Sequence, residues 1–321
     1  MIDNQHHVII VTPVYEDVEA SSRLFKELAT QFGKDVFVVA VDDGSVRHPL
    51  SVDSLERAGV SGAVLTLRRN MGHQRAISIG LAYASEHIQA EQAVVVMDSD
   101  GEDLPSTIPA LLAQLDSDTV DVVVAQRKSR VETLRFKAFY AVYKRLFSLM
   151  TGHAISFGNF MALKATAVRR LVSMRELSIH VAGAVLASRL RTEVCPLDRE
   201  PRYAGQSKMN FVGLALHGFK GLMVFAEDVL VRVGIACAGI AALSLFGIAT
   251  AIILKLIGFS TPGWFSIALG ILVLMLLQTG ALALMTLILM GVVRGGAVAT
   301  APDYHDFVEK ITETAKRKTA A

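Results

Sequence analysis

Along the first 130 positions, short apolar runs alternate with stretches of helical spacing. HVIIVTPV (7–14) is apolar and rich in β-branched residues, the composition of a strand buried on both faces. From Asp17 to Phe32, the residues Ala20, Leu24, Leu28 and Phe32 mark one helical face. DVFVVAVDDGS (35–45), AVLTLRRN (63–70), AVVVMDSD (93–100) and DVVVAQR (121–127) predict four more strands. Helices are predicted from about Gly72 to His87 and from Pro105 through Leu115. The repeated strand–helix order predicts an α/β domain, a mostly parallel sheet flanked by helices and joined by right-handed crossovers.

The pattern changes after residue 229. Val233 to Leu254 carries no charge over 22 positions, and Trp264 to Val293 runs for 30 with Gln278 its one strongly polar side chain. About 20 apolar residues cross a bilayer as a helix, and GFSTPG (258–263) between the runs suits a tight turn. A transmembrane hairpin is expected, with a buried helical pair in a large soluble core as the bland alternative. Lys220 and Arg232 precede the first run; Arg294, Lys310, Lys316, Arg317 and Lys318 follow the second. On that bias both termini and the α/β domain are expected on the cytoplasmic face of a multi-pass protein of the inner (plasma) membrane. Trp264 reads as an interfacial anchor. Two basic amphipathic stretches, 134–150 and 210–225, either lie in the headgroup layer or pack as core-facing helices.

The expected organisation is a cytoplasmic catalytic domain over 1–209, with an interfacial helix near 134–150. A juxtamembrane helix over 210–228 follows, then two spans within 229–294 (about 229–257 and 264–293), then a cytoplasmic tail over 295–321. Composition agrees. The chain has 321 residues, 52% of them hydrophobic, and a mean hydropathy of +0.44, high for a wholly soluble enzyme. The net charge of +2 gives no reason to invoke nucleic acid. Cys195 and Cys237 form neither a disulfide framework nor zinc spacing. MIDNQHH is polar, so no signal segment is expected at that end.

In parallel sheets, ligands bind beyond the carboxyl ends of the strands. Polar residues gather at those ends: Pro13 and Tyr15, Asp42 and Asp43, Arg69 and Asn70, Asp98 and Asp100, Arg127 and Arg130. No GxGxxG follows the first strand and no GxxxxGK[ST] loop occurs, so hydride-transfer and P-loop chemistry lack their usual parts. Asp98 and Asp100 are two apart, and in extended backbone alternate side chains point the same way. Two such carboxylates suit a hard divalent ion, Mg²⁺ or Mn²⁺, whose shell is completed by substrate phosphates and water. Glu102 is a candidate third ligand. Asp103, just before Leu104-Pro105-Ser106, is expected to cap a helix.

VTPVYED, VDDGS, RRNMGHQRAISIGL, MDSDGEDLP, FGNF and RYAGQSKM occur in that order. The ordered set resembles family-2 glycosyltransferases of the GT-A fold. It is most like their polyprenyl-phosphate branch, typified by dolichyl-phosphate mannose synthase and bactoprenol glucosyltransferase. The resemblance covers about residues 7–225, and the hairpin resembles that of two-span bacterial members. It implies that Pro13, Tyr15, Asp17 and Asp42 hold the nucleoside, with Asp43 and Arg69 in the same nucleotide-sugar site. It also implies that Asp98 and Asp100 hold the metal at the diphosphate, and that Arg127 and Arg130 meet the acceptor phosphate. Arg202, Ser207 and Lys208 would close over the phosphates. The catalytic set so implied is Asp100, Arg127, Arg130, Asn159 and Lys208.

Three departures matter. PVYED stands for PVYNE, which changes the contact at Glu16; Glu102 stands for a glutamine; and Asn159 stands where an aspartate is proposed as a base. A phosphate monoester is largely dianionic at pH 7, so a polyprenyl-phosphate acceptor needs no base, whereas a hydroxyl acceptor does. The expected function is inverting transfer of a sugar from a UDP- or GDP-sugar to a polyprenyl phosphate at the membrane. The alternatives are transfer to a hydroxyl of a lipid-linked saccharide or glycolipid, and a catalytically silent scaffold that binds sugar nucleotides. The sequence also admits a homo-oligomer.

Overall fold

A computed structural model describes residues 2–127, 134–154, 157–197, 202–203, 211–259, 261, 263–297 and 303–315. The alternating half of the chain folds as its pattern predicts. Strands β1 (Val8–Val14), β2 (Val36–Asp42) and β3 (Ser61–Leu67) alternate with helices α1 (Val18–Phe32), α2 (Asp53–Ala58) and α3 (His73–His87). Strand β4 (Ala93–Val96) leads through a loop and a 3-10 turn, Pro105–Thr107, into α4 (Ile108–Leu115) and then β5 (Val122–Arg127). Next come α5 (Leu134–Thr151), β6 (Met161–Lys164), α6 (Ala165–Val172), a 3-10 turn at Arg175–Ser178, α7 (Val181–Ala187) and β7 (Thr192–Leu197). The chain then continues with α8 (Phe211–Val224), α9 (Ala226–Leu256), α10 (Trp264–Ala297), a 3-10 turn at Tyr304–Asp306 and β8 (Val308–Glu313).

The eight strands form one sheet in the order β7-β5-β6-β4-β1-β2-β3-β8. β1, β2, β3 and β4 pair in parallel; β6 lies antiparallel between β4 and β5, and β8 is antiparallel to β3. The five predicted strands therefore point the same way, and β4 and β5 are separated by a strand the pattern did not reveal. Every residue of β1 and β2 is buried, because helices cover both faces. α3 and α6 pack over Val11, Val39 and Leu65, while α1 and α4 pack over Ile10, Val38 and Val123 on the other face. This consumes all the apolar side chains of the central strands and leaves the polar groups to gather in the loops that follow their carboxyl ends.

Residues 308–313, which the sequence places in the tail, supply edge strand β8. Tyr83 Oη donates to Glu313 at 2.9 Å and Tyr304 Oη donates to Glu86 at 2.8 Å. Burial and these carboxylate partners push both phenols far above the usual tyrosine pKa.

The chain divides into two units. One comprises residues 1–144, 154–224 and 300–321; the other comprises 145–153 and 225–299. In the second, α9 and the first 30 residues of α10 reach a mean hydropathy of 2.3 in their most apolar windows. Only 17% and 6% of those windows are buried, unlike the helices of this chain's own core, and their apolar exposure suggests membrane anchoring. The end of α5 forms part of this unit: Phe147 meets the Phe225 ring edge-on, and Arg232 Nη1 donates to the Leu149 carbonyl at 2.9 Å. Val142, Leu146 and Leu149 of α5 are exposed at helical spacing, as are Leu216, Phe219 and Met223 of α8.

Candidate functional site

The rim is built first by carboxylates that hold backbone. Asp42 is fully buried at the end of β2 and accepts from Ser45 N at 3.1 Å and from Leu50 N at 2.9 Å. Asp43 accepts from Met71 N at 2.6 Å and Gly72 N at 3.0 Å, fixing the loop between β3 and α3. Burial pushes the Asp43 carboxyl pKa up, against the pull of those two amides. Gly44, at φ +69°, packs so tightly that a Cβ there would lie 2.4 Å from the Arg69 carbonyl carbon. Arg69 itself is exposed beside it.

Glu16 has a left-handed φ of 49°. Its amide donates to Ser45 Oγ at 2.8 Å, and its carboxylate accepts from the backbone nitrogens of Val46, Arg47 and His48 at 2.8–3.0 Å. These amides, Arg47 and Val46 foremost, hold its carboxyl below the usual range. The glutamate of PVYED thus folds the loop after β2. Asp17 caps α1 by accepting from Ala20 N at 3.3 Å. Tyr15 is exposed, and the Pro13 carbonyl accepts from Ser99 Oγ at 2.9 Å.

The loop after β4 is different. Asp103 does not cap the following helix: its Oδ2 accepts from Asp98 N at 3.1 Å, so it turns back and shapes the loop. Asp100 Oδ1 accepts from Glu102 N at 3.0 Å, and Gly101 sits at φ +88°, where a Cβ would strike the Tyr203 ring at 2.5 Å. The outward oxygens meet side chains. Arg202 Nη2 lies 2.9 Å from Asp100 Oδ2, and Arg202 Nε donates to Glu102 Oε1 at 2.9 Å. Tyr203 is fixed in turn. Its amide donates to the Asp100 carbonyl at 2.9 Å, its hydroxyl donates to Glu27, and the Arg23 guanidinium lies 4.1 Å from its ring centre.

On the other side of Asp98 stands His73, the first residue of α3. Its Nε2 is 3.2 Å from Asp98 Oδ1 and 3.1 Å from the Asn159 amide nitrogen. Enclosure of the ring lowers its pKa, but the carboxylates of Asp98, Asp100 and Asp43 together outweigh this and raise it. For Asp100, burial and then the charge of Asp98 push the carboxyl up despite Arg202.

The structure therefore brings together Asp98, Asp100, Glu102, Asn159 and Arg202, and adds His73, which lies inside RRNMGHQRAISIGL but was not among the site residues expected from the sequence. Asp17, Asp42 and Asp43 stand at the same rim with their carboxylates bonded to backbone amides. Arg127 ends β5 with only its backbone described; Arg130, Ser207 and Lys208 lie outside the described residues.

Do these residues suit a divalent ion? Asp98 and Asp100 are hard oxygen donors close enough for one charge to perturb the other's proton affinity. A divalent cation relieves that repulsion. Among the described residues no three His, Cys, Asp or Glu side chains form a ready cage, and Glu102 is turned to Arg202 rather than toward a common ion. Mg²⁺ commonly binds through one or two carboxylates, with phosphate and water completing the shell. The pair fits that pattern.

A mostly parallel sheet with this acidic rim and flanking helices defines the class, a GT-A-type sugar-transferase domain. The chain belongs to glycosyl transferase family 2, whose family profile, described as "Glycosyl transferase family 2", matches residues 9–172, and it is a glycosyltransferase. It is 29% identical over 219 residues to the undecaprenyl-phosphate 4-deoxy-4-formamido-L-arabinose transferase of Enterobacter sp., covering 65% of this chain. The chain spans 64% of that relative's length. It is 28% identical over 277 residues to an uncharacterized glycosyltransferase of Synechocystis sp., covering 83% of this chain and 84% of the relative. In fold it is similar to glucosyl-3-phosphoglycerate synthase from Mycobacterium tuberculosis, solved with Mn²⁺, UDP-glucose and phosphoglyceric acid. The TM-score is 0.50 at 16% identity, over 71% of this chain and 79% of that one.

Proposed function

We propose that the protein transfers a sugar from a nucleoside-diphosphate sugar to a polyprenyl phosphate at the cytoplasmic face of a membrane. The observation that carries this reading is the pairing, in one chain, of Asp98 and Asp100 at a strand end with two apolar helices of 31 and 30 residues. The relatives named as undecaprenyl-phosphate transferases support the acceptor class. The exposed apolar stripes of α5 and α8 support contact with lipid. Residues before and after the hairpin belong to the same folded unit. That grouping supports both ends of the hairpin lying on one side of the membrane, and the basic flanks favour the cytoplasmic side.

The chemistry needs no strong base. An oxygen of the phosphate dianion attacks the anomeric carbon; a new C–O bond forms as the bond to the departing diphosphate breaks, with inversion. A divalent ion bound by Asp98 and Asp100 would supply charge stabilisation for the leaving diphosphate. Arg202, already placed between Asp100 and Glu102, is free to turn to phosphate oxygens once a cation takes over those carboxylates. Arg127, Arg130, Ser207 and Lys208 are proposed, as the family resemblance implies, to hold the phosphates. Asn159 lies against His73 and is not asked to take a proton.

The test is the full chain in detergent with Mn²⁺, labelled UDP- and GDP-sugars and undecaprenyl phosphate. An acid-labile labelled lipid is expected. An acid-stable lipid product would point to a hydroxyl acceptor instead, and sugar-nucleotide binding with no product from any donor would favour the silent scaffold.

A further inference from the structure

α8 carries a feature that the family resemblance does not assign. His180 caps α7: its Nδ1 accepts from Gly183 N at 3.0 Å. A neutral imidazole that accepts at Nδ1 carries its hydrogen on Nε2. His180 Nε2 lies 3.2 Å from His217 Nε2, with the rings 4.5 Å apart. His180 is therefore the donor, His217 Nε2 the acceptor, and the remaining hydrogen of His217 sits on Nδ1, facing away from His180. Burial lowers the pKa of both rings, to about 3 for His180, which keeps this tautomer chain neutral at pH 7.

The chain connects to the site. Gln74 Oε1, one residue after His73, accepts from Val181 N at 2.7 Å, beside His180. His217 lies within electrostatic reach of His73, Asp98 and Lys220. Lys220 is exposed, one helical turn along α8 from His217. Leu216, Phe219 and Met223 of the same helix are exposed at i, i+3 and i+7. One helix thus presents a fixed neutral donor within electrostatic reach of Asp98, with a cation and an apolar stripe along its exposed length. An anionic head joined to an apolar tail matches all three.

We infer that His217 and Lys220 seat the phosphate of the prenyl acceptor, with His180 as the positioning residue that fixes His217. This rests on the acceptor class proposed above. It adds to Arg127 and Arg130 a contact on the helix that runs in sequence directly into the first apolar span.

The experiment uses the purified full chain in micelles and has two readouts: the acceptor KM in the transfer assay, and equilibrium binding of farnesyl phosphate without donor. His217→Ala and Lys220→Met are expected to raise acceptor KM and farnesyl-phosphate Kd about tenfold each, with donor KM held within twofold. Inorganic phosphate at the same concentration should not displace farnesyl phosphate; equal displacement would show a bare anion site and overturn the lipid assignment. His180→Asn keeps the cap acceptor but removes the Nε2 donor, and should show part of the His217→Ala effect; a wild-type acceptor KM there would overturn the positioning role. If His217→Ala melts early, Lys220→Met and His180→Asn decide. Unchanged acceptor KM and Kd in these variants would overturn the seat while leaving the transferase reading intact. A wild-type chain that forms no prenyl product would overturn both.

Discussion

Two arcs of the same rim use acidic residues in opposite ways. At the ends of β1 and β2, the carboxylates of Glu16, Asp42 and Asp43 accept from seven backbone amides, those of Ser45, Val46, Arg47, His48, Leu50, Met71 and Gly72. At the end of β4, Asp98, Asp100 and Glu102 face side chains, His73 and Arg202. Backbone amides are fixed by the fold, so the first arc is architecture. A histidine and an arginine can rotate away, so the second arc can exchange its partners for a metal and a diphosphate. Carboxylates of equal charge are thus divided by what they bond to, backbone in the first arc and side chains in the second, which the proposed function assigns to scaffold and machinery.

The largest effect expected from this division is at the β4 arc. Asp100→Asn should lower transferase turnover by at least a thousandfold, about 4 kcal/mol of transition-state stabilisation, while the melting temperature of the metal-free chain does not fall. Next comes Asp42→Ala, which strands two amides in the core. It should cost about 3 kcal/mol of stability, seen as a lower melting temperature and poor yield before any kinetic effect. A stable, inactive Asp42→Ala would break the distinction by moving Asp42 into the machinery.

A smaller effect concerns pH. His180 and His217 have folded-state pKa values below their unfolded ones, chiefly through burial. The unfolded chain takes up protons below about pH 6.5 and the folded chain does not. For His180, stability present above that pH is therefore lost as pH falls toward 3, by about 1.4 kcal/mol per pH unit, and His217 acts in the same direction. Melting curves from pH 7 to 4.5 should decline less steeply for His180→Asn than for wild type. Smallest of all, Glu16→Gln should loosen the loop at 45–48 and raise donor KM a few-fold, with little change in melting temperature, because the residue lies in an open loop.

The parallel strands were legible because burial on both faces leaves an unbroken apolar signature, and the two long apolar helices because their runs carry almost no charge. β6 and β8 were not. Met161-Ala162-Leu163-Lys164 is too short to show a period, and β8 reads Val-Glu-Lys-Ile-Thr-Glu with most of its residues exposed at an edge. Its pairing with β3, some 250 residues away, is a tertiary choice with no local mark. At the site, the clustering of polar residues at strand ends was legible, as was the Asp98/Asp100 pair. The division of labour was not, because an aspartate bonded to backbone amides and one that faces side chains look alike in sequence. Asp103 illustrates this. A helix followed it, but its carboxylate turned back to accept from Asp98 N in its own loop. The His180–His217 pair spans 37 positions between two helices and had no sequence signal at all.

The measurement that tests the central claim most directly is Mn²⁺ titration of the full chain, followed by electron paramagnetic resonance, with UDP or GDP present. One ion per chain should bind to the wild type, and Asp98→Asn and Asp100→Asn should each weaken it by an order of magnitude or more, whereas Glu16→Gln should not. Full Mn²⁺ binding in an Asp98→Asn, Asp100→Asn double variant would contradict the account.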